Sequence, residues 1–342
     1  MTKYFLGTAL IIALGAVSPL VQAQSPTIDV APGFCTNGQI VVVDGQTECR
    51  IEDSLEALIH DFEEAQLKRD PVTAGELGDA DALKRLPDVS LAAERKSQIE
   101  NKEFLSRHAQ LSTRPMSEEE RLNYDLLGFA LKQKQRLAPF DEARLPFTND
   151  SGFFNNVLYL ARQTRFEKIS DYEAYASRLT ELPRYFLQHK NNMRRGMESE
   201  FTAAAEIMPG ILETVENLAS QPVTEHPLYQ PFTRYPDSIS AEDQARLKEL
   251  GEAAIKSSVL PAYKNLAEFL AEDYIPKARQ TSGIGDSEEA RNYYRALVRY
   301  FTTLDMTPDE IHEMGLTQLD EIHARMDPIL RGIGYTSGSV GE

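Results

Sequence analysis

The chain runs to 342 residues and carries 53 Asp and Glu against 36 Lys and Arg, a formal net charge of −17. A surface this acidic repels phosphate backbones and anionic headgroups, which excludes nucleic acid as the main ligand and anionic membrane as a docking surface, because both affinities depend on Lys and Arg. The length is enough to bury a large core, in one domain or two smaller ones.

Lys3 supplies a positive start, Tyr4 to Val17 is apolar apart from Gly7, Thr8 and Gly15, and Ser18-Pro19 ends the run. With the small-x-small pattern Val21-Gln22-Ala23, this predicts a secretory signal over residues 1–23, cleaved before Gln24. The run is too short and too abruptly ended for a membrane span, a retained N-terminal anchor being the alternative. No Cys follows the cleavage position, which argues against a lipid anchor. The expected mature protein is periplasmic or secreted, has no membrane contact after cleavage, and with Lys3 gone moves from −17 to −18.

Cys35 and Cys49 lie just beyond the signal, in a compartment where disulfides persist. Between them Ile40-Val41-Val42-Val43, Asp44-Gly45 and Gln46-Thr47 read as a β-hairpin with a two-residue turn. A ladder centred on Asp44-Gly45 sets Cys49 opposite Ile40, so a Cys35 to Cys49 bond requires the chain to bend back near Asn37-Gly38. The expectation is a disulfide-linked hairpin segment over residues 24–50, the bond contributing about 3 kcal/mol on the chain-entropy account. Two unpaired buried thiols are the alternative.

From Ile51 onward, helix starts punctuate the sequence. A Ser, Thr or Asp followed three residues later by Glu forms a capping pair, as in Ser117 with Glu120, Ser170 with Glu173, Asp286 with Glu289, and Thr307 with Glu310. Pro308 takes the first helical position of the last. Apolar stripes at helical spacing agree, with Leu55, Leu58, Ile59, Phe62 and Ala65 in one and Ile311, Gly315, Leu319, Ile322, Met326 and Ile329 in another. Further helices are expected near 91–109, 118–137, 171–195, 202–219, 241–270 and 287–302. No period-2 alternation follows the hairpin, so the fold class is all-α, a multi-helical bundle-like domain over 51–342 behind the small hairpin. Pro222, Pro227, Pro231 and Pro236 make 221–236 an extended connector, either a boundary between two helical subdomains or a surface loop inside one domain.

His312-Glu313-Met314-Gly315-Leu316 begins like a zinc-protease helix, but the second His belongs one turn on, where Leu316 stands. His323 shares the face of His312 but is about 16 Å further along the axis at 1.5 Å per residue, too far for one ion. No Gly-x-Ser-x-Gly elbow, third-glycine dinucleotide loop or phosphate-binding Gly-Lys-Ser/Thr loop is present. The richest recognition chemistry lies between Asn292 and Phe301. Tyr293, Leu297, Tyr300 and Leu304 share one face there, and Arg291, Arg295 and Arg299 another. Such a face can line a cleft for a peptide carboxylate, or it can be core packing with a basic edge.

Ser282-Gly283-Ile284-Gly285, Tyr293-Tyr294, Arg299-Tyr300-Phe301-Thr302-Thr303 and the block from Asp305 to Leu316 together resemble the bacterial domain-of-unknown-function 885 family. Asp171-Tyr172, Arg178-Leu179 and Val259-Leu260-Pro261-Ala262-Tyr263 fit the same pattern. The resemblance runs from about Ile51 to the end and implies an exported, all-helical protein similar to zinc metallopeptidases. The family's metal motif, His-Glu-x-x-Pro-Gly-His in its second half, has no match here. The resemblance therefore implies an N-terminal half, and the glycine-rich stretch from Gly332 to Gly341 reads as an interruption, a short natural variant being the alternative.

No catalytic residue and no metal ligand is assigned. No cofactor is expected in this chain, zinc being implied for the full family domain. One wall of a cleft for a peptide or small amide substrate is expected at Tyr293, Tyr294, Arg299, Tyr300 and His312. The competing expectations are a non-catalytic periplasmic helical module that binds peptides through the same face, and a non-functional truncated product.

Overall fold

Cap chemistry sets most boundaries in the computed structural model, which describes residues 54–284 and 287–342 in full and 39–43 and 46–50 as backbone. The signal segment, Cys35 and the Cys49 side chain fall outside the described residues, and with them the expected disulfide. Strands β1 (Gln39–Val43) and β2 (Gln46–Arg50) pair antiparallel with Ile40 opposite Cys49, the register that a ladder centred on Asp44-Gly45 requires.

Helix α1 (Leu55–Arg69) starts where the Ser54 hydroxyl accepts from the Ala57 amide at 3.0 Å, and it ends on Lys68 and Arg69, which oppose its negative pole. Asp70 then caps a short helix, Pro71–Glu76, by accepting from the Val72 and Thr73 amides. Helices α2 (Leu91–Gln110) and α3 (Glu118–Leu137) lie where the apolar periods predict, α3 behind a reciprocal Ser117 and Glu120 capping box. Leu58, Phe62, Phe104, Leu127 and Leu131 join these three helices in a small core of their own.

The larger core lies among α4 (Ile169–Thr180), α5 (Leu182–Glu198), α6 (Met208–Ser220) and the helix opened by α7 (Ala241–Ala254). Period alone treats 171–195 as one helix. The chain makes two, broken at Glu181, because Pro183 has no N–H for the carbonyl four residues back. Nor does α4 start at Ser170, as its spacing to Glu173 predicts. Asp171 Oδ2 accepts from the Glu167 and Lys168 amides, each at 3.0 Å, and a carboxylate holding two amides fixes the start at Ile169. The helix expected from 202 begins at Met208, since Ala204 bridges Arg279 in parallel: the Arg279 amide donates to Ala203 O at 3.0 Å and the Ala205 amide to Arg279 O at 2.7 Å.

Beyond α7 the helix continues through a π-helical turn (Ile255–Val259), α8 (Leu260–Phe269) and a second π turn (Leu270–Tyr274), past the expected end at 270. Each wide turn is followed two residues later by a proline, Pro261 or Pro276. Without an N–H, and with its ring against the carbonyl four residues back, proline disfavours the α ladder there and favours a wider turn.

The stretch 221–236 is not the extended connector its prolines predict. Pro227–Thr233 is a 3-10 helix, because the φ that proline enforces, near −65°, is also a 3-10 value. Its Leu228 and Phe232 are fully buried in the larger core, Phe232 so close to α7 that a Cβ on Gly251 would lie 2.5 Å from its ring. The chain divides into two compact units after Ser282.

In the second unit, α9 (Glu288–Thr302) is capped by Ser287, one residue beyond the expected Asp286, which lies outside the described residues. Thr303 ends it in a left-handed conformation with φ of 61°. The expected Thr307 and Glu310 box, with Pro308 at the first position, then opens α10 (Pro308–Gly332). The described chain is mainly helical, as the all-α reading expects.

Candidate functional site

Helix α9 carries the tyrosines and arginines expected to line a cleft. Tyr293 points inward, with 2% of its surface exposed, whereas Tyr294, one step round the helix, is 47% exposed. Tyr300 is half-buried, its ring meeting Phe301 edge-on at 5.1 Å. The Arg299 guanidinium lies 3.4 Å from Asp305, a fully exposed carboxylate in the turn after α9. An ion pair so exposed is weak, so a ligand carboxylate can take the place of Asp305. His312, in the first turns of α10, is exposed. Of the five expected residues, then, Tyr294 and His312 are open to solvent, Arg299 and Tyr300 are partly so, and Tyr293 packs.

Two open grooves of the first unit have no counterpart in the sequence reading. With volumes of about 650 and 460 Å³, they flank the first π turn and share Lys256 and Leu260. Val223, Glu249 and Glu252 complete one; Ala219, Lys264, Asn265 and Glu268 line much of the other. The Tyr229 hydroxyl donates to Glu252 Oε1 at 3.3 Å, and burial together with that carboxylate raises the tyrosine's pKa. The legible signal was Pro261 inside a helical run, which marks where the ladder widens.

Two buried histidines, His189 and His226, and the half-buried Lys134 sit elsewhere in the first unit. His189 stacks on Phe153 at 4.1 Å and meets Tyr185 edge-on at 4.6 Å; neither ring nitrogen has a partner, and burial lowers its pKa to about 3. His226 Nδ1 accepts from the Leu228 amide at 3.2 Å while its Nε2 is unpartnered, and burial lowers its pKa to about 4. Lys134 on α3 sits over the Phe62 ring at 5.2 Å, where burial first and the Arg69 charge second lower its pKa to about 8. Among the described residues no three His, Cys, Asp or Glu side chains converge to hold a metal ion. No helix among them is long and apolar enough to cross a membrane.

A helical fold with tyrosines and arginines on separate faces of α9 defines a class only by its relatives. The chain belongs to the DUF885 family, bacterial proteins of unknown function, whose profile matches residues 71–342. It is similar in fold to the crystal structure of a protein from Colwellia psychrerythraea described as a putative lipoprotein, with a TM-score of 0.74 and 18% identity. The likeness covers 84% of this chain and 52% of that one, so the chain spans about half the length of the solved relative. No curated protein matches it.

Proposed function

We propose that this chain is the N-terminal, cleft-forming half of an exported zinc-dependent peptidase-like hydrolase, whose metal-binding residues lie outside it. The observation that carries the reading is family membership over residues 71–342 in a chain that spans 52% of its solved relative. Zinc in such a hydrolase polarises the scissile carbonyl and lowers the pKa of its bound water. The residues of this chain bind and orient. In this reading Arg299, freed from Asp305, holds a substrate carboxylate, and Tyr294, Tyr300 and His312 are further contacts. The signal-like segment over 1–23 supports export to the periplasm or beyond.

The test compares this chain with a polypeptide that continues in frame to a His-Glu-x-x-Pro-Gly-His segment. The longer protein is expected to hold one zinc per chain and to hydrolyse short peptides. In it, Arg299→Ala is expected to raise KM about tenfold with little change in kcat, the loss of one charge-assisted contact. A longer protein that holds zinc and cleaves no amide sinks the reading. Zinc bound tightly by the present chain alone sinks it too, as the ligands would then lie within residues 1–342.

A further inference from the structure

Helix α10 shows a face that nothing in its own unit covers. It is 25 residues long and has no buried residue. Leu319, Ile322, Met326, Ile329 and Ile333 follow one another at spacings of three and four, the seam of a helix that packs lengthwise on another. Their exposures run from 42% for Met326 to 68% for Ile333, where core residues of the first unit are mostly below a tenth. Monomers rarely leave so continuous an apolar stripe in water, and an amphipathic helix gains its stability by covering that stripe. The positions that flank the stripe carry Gln318, His323, Arg325 and Leu330, while Glu313, Asp320 and Glu321 lie on the far side of the helix.

We infer that the stripe from Leu319 to Ile333 is the docking surface for amphipathic helices from the other half of the family domain, each apolar along one face. The length of chain involved argues for this occupant: the solved relative carries about as much chain again as the part matched here. The inference rests on the reading that this chain is half of a longer domain, and it adds which surface joins the halves. The grooves beside Lys256 are less telling, being open and of mixed charge with no buried unpartnered group shown to face them.

Hydrogen exchange read by mass spectrometry on the 342-residue chain and on the full reading frame that contains it tests the inference. Amides from 311 to 332 are expected to exchange at least a hundredfold more slowly in the longer protein. Ile322→Asp with Ile329→Asp is expected to lower the Tm of the longer protein by several degrees and to leave that of the 342-residue chain unchanged. A reading frame that closes at residue 342, equal exchange in the two proteins, or equal loss of Tm in both overturns it. So does a dimer of the 342-residue chain that the double variant dissociates, which assigns the face to a second copy. Zinc content and peptide hydrolysis are measured separately. Protected 311–332 amides in a protein that cleaves nothing leave this inference standing and remove the proposed function, and hydrolysis with unprotected amides does the reverse.

Discussion

His189 is neutral in the folded core and free to protonate once unfolded, since burial holds its pKa at about 3 against an ordinary 6.5. Between those values the unfolded chain binds more protons, so stability falls as pH drops from about 6.5 towards 3. His189→Phe keeps a ring against Phe153 and removes the titration. Its stability relative to the native chain is expected to be little changed at pH 8 and to gain up to about 3 kcal/mol at pH 4, read from urea midpoints at the two pH values. Lys134 runs in the other window. Its pKa is about 8 when folded and 10.5 when not, so the unfolded chain again binds more protons between these values and stability rises as pH climbs through them. Lys134→Met is expected to stabilise by about 1–2 kcal/mol at pH 7, because a half-buried charge is replaced by an apolar stem. The gain should vanish by pH 10.5. A gain that persists there would mean that packing, not charge, is its source.

At the scale of elements, the carboxylate that starts α4 is the clearest departure from local pattern. Asp171→Ala is expected to cost about 1–2 kcal/mol by losing two amide bonds, while Ser170→Ala stays within about 0.5 kcal/mol, both measured by denaturant unfolding. Where a cap and an apolar stripe agree, as at Ser117 and Thr307, the boundaries could be read from the sequence to within a residue, because both signals are local. Elsewhere they could not. The break at Glu181, the 3-10 turn over Pro227–Thr233 and the strand-like 202–204 depend on proline geometry or on a partner far along the chain, Arg279 in the last case. The same limit applied to the candidate site. Periodicity placed Tyr293 and Tyr300 on one face of α9 and Tyr294 off it, but only the packed structure shows that Tyr293 is buried and Tyr294 exposed. For the grooves beside Lys256, Pro261 signals the widened turn, but the lining does not follow from it, because Val223 and Glu252 are brought to one rim by tertiary packing.

For the whole molecule, the division after Ser282 carries a prediction. Both hydrophobic cores are built from residues no later than Ala278. A chain ended at Ser282 is therefore expected to keep its helical circular dichroism and a Tm within a few degrees of the intact protein. A drop of more than ten degrees would show that the two units stabilise each other. The π turns bear on the molecule's history rather than its energy. A ladder that steps five residues instead of four accommodates one residue more between two flanking faces, so it absorbs an insertion without rotating what lies beyond it. Two such turns in one helix mark two places where a single-residue length change can be absorbed. Relatives are expected to gain or lose a residue within Ile255–Val259 or Leu270–Tyr274, and to keep constant length through the α-helical stretches between Ala241 and Phe269.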